Sequence, residues 1–227
     1  MPVYWLNDND VRFPPLEYAM PDGLLAIGGD LSVKRLLGAY KCGIFPWYNA
    51  TEPIMWWSPD PRLVLFPDKL HVAKSMRTYF NNNTFQLSYN HAFEEVMTAC
   101  GEISRKNQDG TWIHQDLVDA YVRLHKAGFA HSVEVWKNSR LVGGLYGIAI
   151  GKVFFGESMF AHLPNASKFG FISLVKKLAQ LNFKLIDCQQ ETPHLKSLGA
   201  DLLDRNVFVQ ILQENDKKFS HEKLKLD

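Results

Sequence analysis

Cysteine is scarce, at three in 227 residues: Cys42, Cys100 and Cys188. None forms a Cys-x-x-Cys pair or a metal-ligating spacing with the eight histidines. Neither a disulfide framework nor a metal centre is therefore expected, and free thiols in a reducing cytoplasm are. Net charge is nearly absent, at +1. That removes any global signature of a polyanion partner but leaves room for a local basic patch. Long apolar runs are missing, so no membrane span is expected. Met1 to Asp10 has neither a basic start nor an apolar core, so no cleavable signal is read there. Repeats and low-complexity linkers are also lacking.

What is present is an ordinary globular composition, 46% apolar, with a rich aromatic share of 13%. The length suits one large domain or a small one plus a medium one. The most informative run is Trp56-Trp57-Ser58-Pro59-Asp60-Pro61-Arg62. Two prolines around an Asp fix an extended, turn-rich path that no helix or central strand would use. It reads as a rigid elbow presenting aromatic faces and one guanidinium, or else as an apolar turn sealing a domain edge.

Upstream of the elbow, Ser32 caps a helix to about Cys42, with Gly43 ending it. Downstream, the pattern predicts a strand over 63–66, a helix over 71–80 and a strand over 85–89. A helix capped by Asn90 follows, then a loop over 104–110 and a helix over 114–127. Three strands with hairpin-short connections cover 130–136, 141–150 and 152–158. A helix capped by Asn165 carries Phe171, Leu174, Val175 and Leu178 on one face. A strand over 183–188 and a helix over 204–214 complete an α+β order.

Several longer motifs accompany the elbow: Gly23-Leu24-Leu25-Ala26-Ile27-Gly28-Gly29-Asp30-Leu31-Ser32, Gly43-Ile44-Phe45-Pro46-Trp47-Tyr48 and Gly110-Thr111-Trp112-Ile113. So do His131 to Trp136, Leu141 to Gly147, Phe155-Gly156-Glu157-Ser158-Met159-Phe160, Asn165 to Lys168 and Asp187-Cys188-Gln189. Together they resemble the leucyl/phenylalanyl-tRNA–protein transferases of bacteria, from about Phe13 to Phe208. The resemblance implies a small N-terminal α+β domain, residues 1–62, followed by a GNAT-like acyltransferase domain, residues 63–227, with a mixed, mostly antiparallel sheet. It also implies transfer of Leu, Phe or Met from aminoacyl-tRNA to the N-terminal Arg or Lys of a protein, in the cytoplasm. That transfer needs no cofactor, and no apolar stripe asks for a second copy of the chain.

The chemistry requires a neutral attacking amine, a donor for the developing oxyanion and a proton for the leaving ribose oxygen. Asp187 and Gln189 lie two apart at a strand end, so period two puts both on one face and turns Cys188 into the core. On that face Asp187 can hold or deprotonate a cation and Gln189 can bond the reacting carbonyl. Alternatively, Asp187 caps the helix region at Thr192. Glu157, at the end of the third strand, needs a cation if buried. The acceptor's ammonium would supply one, as would an Arg or Lys of the protein itself. The resemblance makes all three active-site residues.

Trp47, Trp112, Tyr40 and Tyr121 are candidates for stacking on the terminal adenosine of the tRNA, although rings of this kind also fill cores. The resemblance puts Trp47 and Trp112 around that adenosine. Leu145, Phe154, Met159 and Leu174 are candidates for the pocket that takes the transferred side chain, or are plain sheet core. Lys69, Lys74 and Arg77 form a basic cluster suited to tRNA phosphates, in preference to Lys168, Lys176 and Lys177; either could be a solvated face. Two rivals remain. A CoA-dependent N-acetyltransferase needs an Arg/Gln-x-x-Gly-x-Gly/Ala turn at a helix start, and the nearest string, Arg140 to Leu145, ends in Leu within a hairpin. A non-catalytic tRNA-binding module would not need Glu157, Asp187 and Gln189.

Overall fold

A computed structural model describes residues 3–7, 10–103, 113–219 and 222–226. The strands sort into two sheets that change over at the Pro elbow. The first sheet holds β1 (Tyr4–Leu6), β2 (Leu24–Gly28), β3 (Phe45–Pro46) and β4 (Met55–Trp57), in the order β1-β2-β4-β3. The α-helix α1 (Val33–Lys41) lies in this part of the chain. Ser32 caps it by accepting the N–H of Arg35, as its sequence foretold.

The second sheet has the order β11-β5-β10-β9-β8-β7-β6. Its strands are β5 (Arg62–Leu65), β6 (Gln86–Tyr89), β7 (Ala130–Lys137), β8 (Arg140–Ile150), β9 (Val153–Ala161), β10 (Leu185–Gln189) and β11 (Asp201–Leu203). Every pairing in it is antiparallel except β9 with β10. Those two are joined by α5 (Ala166–Gln180), as a parallel pair requires a long crossover. This is the α+β architecture with a mixed, mostly antiparallel sheet that the sequence predicts.

Period-two alternation explains the layers. Leu145 and Ala149 of β8 and Phe154 of β9 join one core cluster with the apolar face of α5. Tyr146 and Ile148 of β8 and Phe155 of β9 join the other, with α3 (Phe93–Glu102) and α4 (Gln115–Lys126). That second cluster also takes in Leu36 and Tyr40 of α1 and Trp56, so the small sheet and the large one share a core. Three further helices, α2 (Lys74–Asn81), α6 (Pro193–Ser197) and α7 (Arg205–Phe219), cover the margins.

Two predicted caps are corrected. Asn90 and Asn165 both sit at positive φ, 59° and 66°, and neither side chain caps a helix. Asn tolerates the left-handed region, so each makes a turn instead. Asn90 Oδ1 accepts the N–H of Ser132, and Asn165 Nδ2 donates to the Tyr79 hydroxyl. Of the elbow's two readings, the apolar turn that seals an edge fits Trp56 and Arg62 better than the one that presents them. Trp56 is fully buried and donates its indole N–H to Gly28 O, and Arg62 points inward at 1% exposure. The loop predicted over 104–110 lies outside the described residues.

Candidate active site

A cavity of about 400 Å³ opens where β8, β9 and β10 meet the Phe45-Pro46-Trp47 segment. That volume lies in the usual range for small-ligand sites. Its apolar side is formed by Leu145, Phe154, Met159, Phe171 and Ile186, and its polar side by Glu157, Asp187 and Gln189. Cys188, Thr192 and His194 also line it.

Asp187 has no exposure at all, and its carboxylate is held by Arg62 of β5. Arg62 Nε donates to Oδ1 at 2.8 Å and Nη2 to Oδ2 at 2.7 Å, the strong bidentate fork. Arg62 also donates to Gly43 O at 3.3 Å and lies over the rings of Phe45 and Phe208, at 4.7 and 5.0 Å. The backbone N–H of Gln189 donates to Asp187 Oδ1 at 2.9 Å. Asp187 thus neither caps the helix at Thr192 nor stands ready for an outside cation. Its bonds go to this chain.

Gln189 departs from the alternation that would place it beside Asp187. The register shifts between the two, and Gln189 has φ +61°, uncommon for a residue other than glycine. Strain of that kind persists where surrounding bonds hold it, and it concentrates at functional sites. Cys188, expected in the core, is half-buried and lines the cavity because the alternation fails here. Burial pushes its thiol pKa up, so it stays protonated and is a poor nucleophile.

Glu157, partly buried on β9, is paired with no Arg or Lys of this chain among the described residues. Its partners are two phenols and a carboxamide. Tyr40 Oη donates to Oε1 at 2.8 Å, Tyr121 Oη to Oε2 at 3.0 Å and Gln189 Nε2 to Oε1 at 2.8 Å. Burial raises the Glu157 carboxyl from 4.5 to about 7, against the pull of the two phenol bonds.

Tyr40 and Tyr121 are corrected as stacking surfaces. Both rings are completely buried in the shared core, so no nucleobase can reach their faces. Burial, then the Glu157 charge, holds both phenols well above the ordinary value. Trp47 is partly exposed and lines the cavity, propped edge-on by Trp57 at 5.5 Å. Trp57 also donates its indole N–H to Trp47 O at 2.6 Å. Trp112 lies outside the described residues.

Of the pocket candidates, Leu145, Phe154 and Met159 line the cavity and Leu174 does not. Leu174 is fully buried in the core under α5, and Phe171, about one helical turn earlier, provides that part of the wall. Lys69, Lys74 and Arg77 are all exposed. Lys176 instead lies over the Phe80 ring at 4.5 Å.

Sequence reasoning missed Arg62 as the partner of Asp187, and it missed Phe171 and His194 as cavity wall. Phe171 was legible as a core-face residue but not as one at the cavity end. His194 Nε2 is buried with no bonding partner among the described residues. Burial, then Lys168, holds its pKa below the ordinary value.

With this geometry, residues 64–213 match the family model for leucyl/phenylalanyl-tRNA protein transferase. Residues 29–60 match the N-terminal domain of the same family. The chain belongs to this family. A relative of that name from Christiangramia forsetii is 55% identical over 212 residues, covering 92% of this chain and all of the relative. Another, from Pseudomonas fluorescens, is 51% identical over 219 residues, covering 96% of each. Among solved structures, a GCN5-related N-acetyltransferase from Kribbella flavida aligns with a TM-score of 0.35 at 11% identity, over 70% of this chain and 56% of that one.

Proposed function

We propose that this chain transfers Leu, Phe or Met from aminoacyl-tRNA to the free α-amine of proteins that begin with Arg or Lys, generating a degradation signal in the cytoplasm. The observation that carries the reading is the cavity itself. An apolar slot of Leu145, Phe154, Met159 and Phe171 adjoins one polar edge of Glu157 and Gln189. An apolar slot next to a polar edge suits an apolar side chain unbranched at Cβ, as in Leu, Phe and Met, whose ester carbonyl lies at the edge. Trp47 at the mouth, with Trp112, stacks on the terminal adenosine, and Lys69, Lys74 and Arg77 meet acceptor-stem phosphates.

In this reading the ester is already activated, so no covalent intermediate is needed. Holding donor and acceptor together contributes much of the rate. Gln189 donates from Nε2 toward the developing oxyanion. Asp187 positions Gln189 through the backbone bond that fixes it, while Glu157 faces the incoming amine. The reaction asks for no cofactor. The chain acts as a monomer, and residues 1–62 and 63–227 are its two domains.

The test is the donor and acceptor dependence of Trp47→Ala. Lost stacking should raise the Michaelis constant for aminoacyl-tRNA roughly 5- to 150-fold, with the acceptor peptide's constant nearly unchanged. A folded variant with wild-type constants for both would remove Trp47 from the donor site.

A further inference from the structure

Glu157, Tyr40 and Tyr121 form a closed triangle. Besides the two phenol–carboxylate bonds, the hydroxyls of Tyr40 and Tyr121 are themselves in hydrogen-bond contact, at 2.5 Å. Three oxygen–oxygen contacts need three protons, and each phenol has one. With Glu157 ionised, both phenol protons can face the carboxylate, leaving the contact between the two hydroxyls without a proton. With Glu157 protonated, three protons serve three contacts around the ring. Three protons thus close the triangle, whereas two leave one of its contacts unbonded, so a proton taken up or released by Glu157 is coupled to both phenols.

We infer that Glu157 is the proton carrier of the transfer step, and that Tyr40 and Tyr121 are positioning residues that hold it between its two protonation states. The inference deepens the proposed aminoacyl transfer and rests on it. The neutral amine attacks the ester carbonyl and forms the C–N bond. The resulting N–H⁺ gives its proton to the Glu157 carboxylate. As the bond from carbonyl carbon to ribose oxygen breaks, protonated Glu157 returns that proton to the ribose oxygen. Glu157 ends as it began, and no other proton donor is required.

The surroundings favour this residue over Asp187. Each carboxyl accepts three bonds, but two of those on Asp187 come from the charged Arg62 guanidinium and Asp187 has no exposure, whereas the donors to Glu157 are all neutral groups. Both line the cavity, but only Glu157 keeps partial exposure there, where a reacting nitrogen can reach it. The titratable and charged groups around it are Tyr40 on α1, Tyr121 on α4, Asp187 on β10 and Arg62 on β5, with Tyr146 on β8 edge-on to Tyr121. Asp187 and Arg62 oppose each other's effect, so burial dominates and places the carboxyl near neutrality. That matches a group that must both take and give a proton at pH 7.

Two measurements test the inference. In the substrate-free chain, carbon-13 NMR of labelled glutamate side chains should show one carboxyl titrating near pH 7, absent from Glu157→Gln. A midpoint for Glu157 in the ordinary carboxylate range would overturn the carrier role. The second measurement is turnover against pH with saturating Phe-tRNA and an Arg-started peptide. Glu157→Gln should lose about 10²–10⁴-fold and the limb near pH 7. Tyr40→Phe and Tyr121→Phe each remove one bond to the ionised form, so each should move that limb to higher pH by roughly 1 while recovering rate above it. Transfer by the wild type with an unmoved limb in both Phe variants would overturn the carrier role alone. No transfer by the wild type would overturn the transferase reading, and the carrier with it.

Discussion

At the residue scale, the pair of Arg62 and Asp187 decides how the polar edge is built. Both side chains are essentially without solvent, at 1% and 0% exposure. Removing one partner of such a pair strands a buried charge, which costs about 3–5 kcal/mol. Asp187→Asn should therefore lower unfolding stability by about that much in urea melts, whatever it does to turnover. Arg62→Met with Asp187→Leu should recover most of the loss, because an apolar pair has no desolvation cost. A single-variant cost below about 1 kcal/mol would show that the pair is not sealed from water. Glu157 makes the opposite kind of statement. Its folded carboxyl is raised to about 7 from 4.5. Its contribution to stability is thus fully present below pH 4.5 and is lost as pH rises through 7. Glu157→Gln carries no charge to desolvate, so relative to the wild type it should gain up to about 3 kcal/mol between pH 4.5 and 8. Stability differing by the same amount at both pH values would contradict the shift.

At the element scale, the β8–β9 ribbon sets the shape of the cavity. The register shifts between Tyr146 and Gly147, and a Cβ on Gly147 would meet Phe155 O at 2.2 Å and the Phe154 ring at 2.6 Å. Phe154 is cavity wall, so Gly147→Ala must push either the backbone or that ring. Overpacking of this kind costs about 1–3 kcal/mol. The variant should melt lower and discriminate less among Leu, Phe and Met, measured as the ratio of their transfer efficiencies. Unchanged melting would mean that the ribbon relaxes freely.

The long elements were legible because each carries several turns or several alternations. Ser32 and the face of α5 are examples, as are the three consecutive strands. The missed strands are short: β1, β3, β4 and β11 have three residues or fewer and β2 has five, too few for a period to show clearly. Thr192 followed by Pro193 is a sound start signal for α6, and Thr192 does accept the N–H of Leu195. The site was half legible. Spacing brought forward Asp187, Gln189 and Glu157, yet the triangle joins α1, α4 and β9 across more than a hundred residues, and no local pattern encodes it. Period two failed at Gln189 because positive φ is invisible in a glutamine. The burial of Tyr40 and Tyr121 was equally hidden, since a Tyr whose hydroxyl is satisfied inside looks like any surface Tyr.

At the scale of the whole molecule, a net charge of +1 coexists with an exposed basic group of Lys69, Lys74 and Arg77 beside α2. A compact grip on a few phosphates needs no more than this. Each side chain replaced by Ala should weaken aminoacyl-tRNA binding nearly independently of sequence and lower the slope of log affinity against log salt by about 1. An unchanged salt slope in the triple variant would assign these side chains to a solvated face. The shared core, with Arg62 lying between Phe45 of the small sheet and Phe208 of α7, ties both sheets to one cavity. The most direct measurement of the central claim uses the intact chain, labelled Phe-tRNA and a peptide with N-terminal Arg. An N-acetylated copy of the peptide and labelled acetyl-CoA serve as the alternative acceptor and donor. Label should pass from the tRNA to the free Arg terminus, with none on the blocked peptide and none from acetyl-CoA. Acetyl transfer to the peptide, or tight binding of Phe-tRNA without any transfer, would contradict the account.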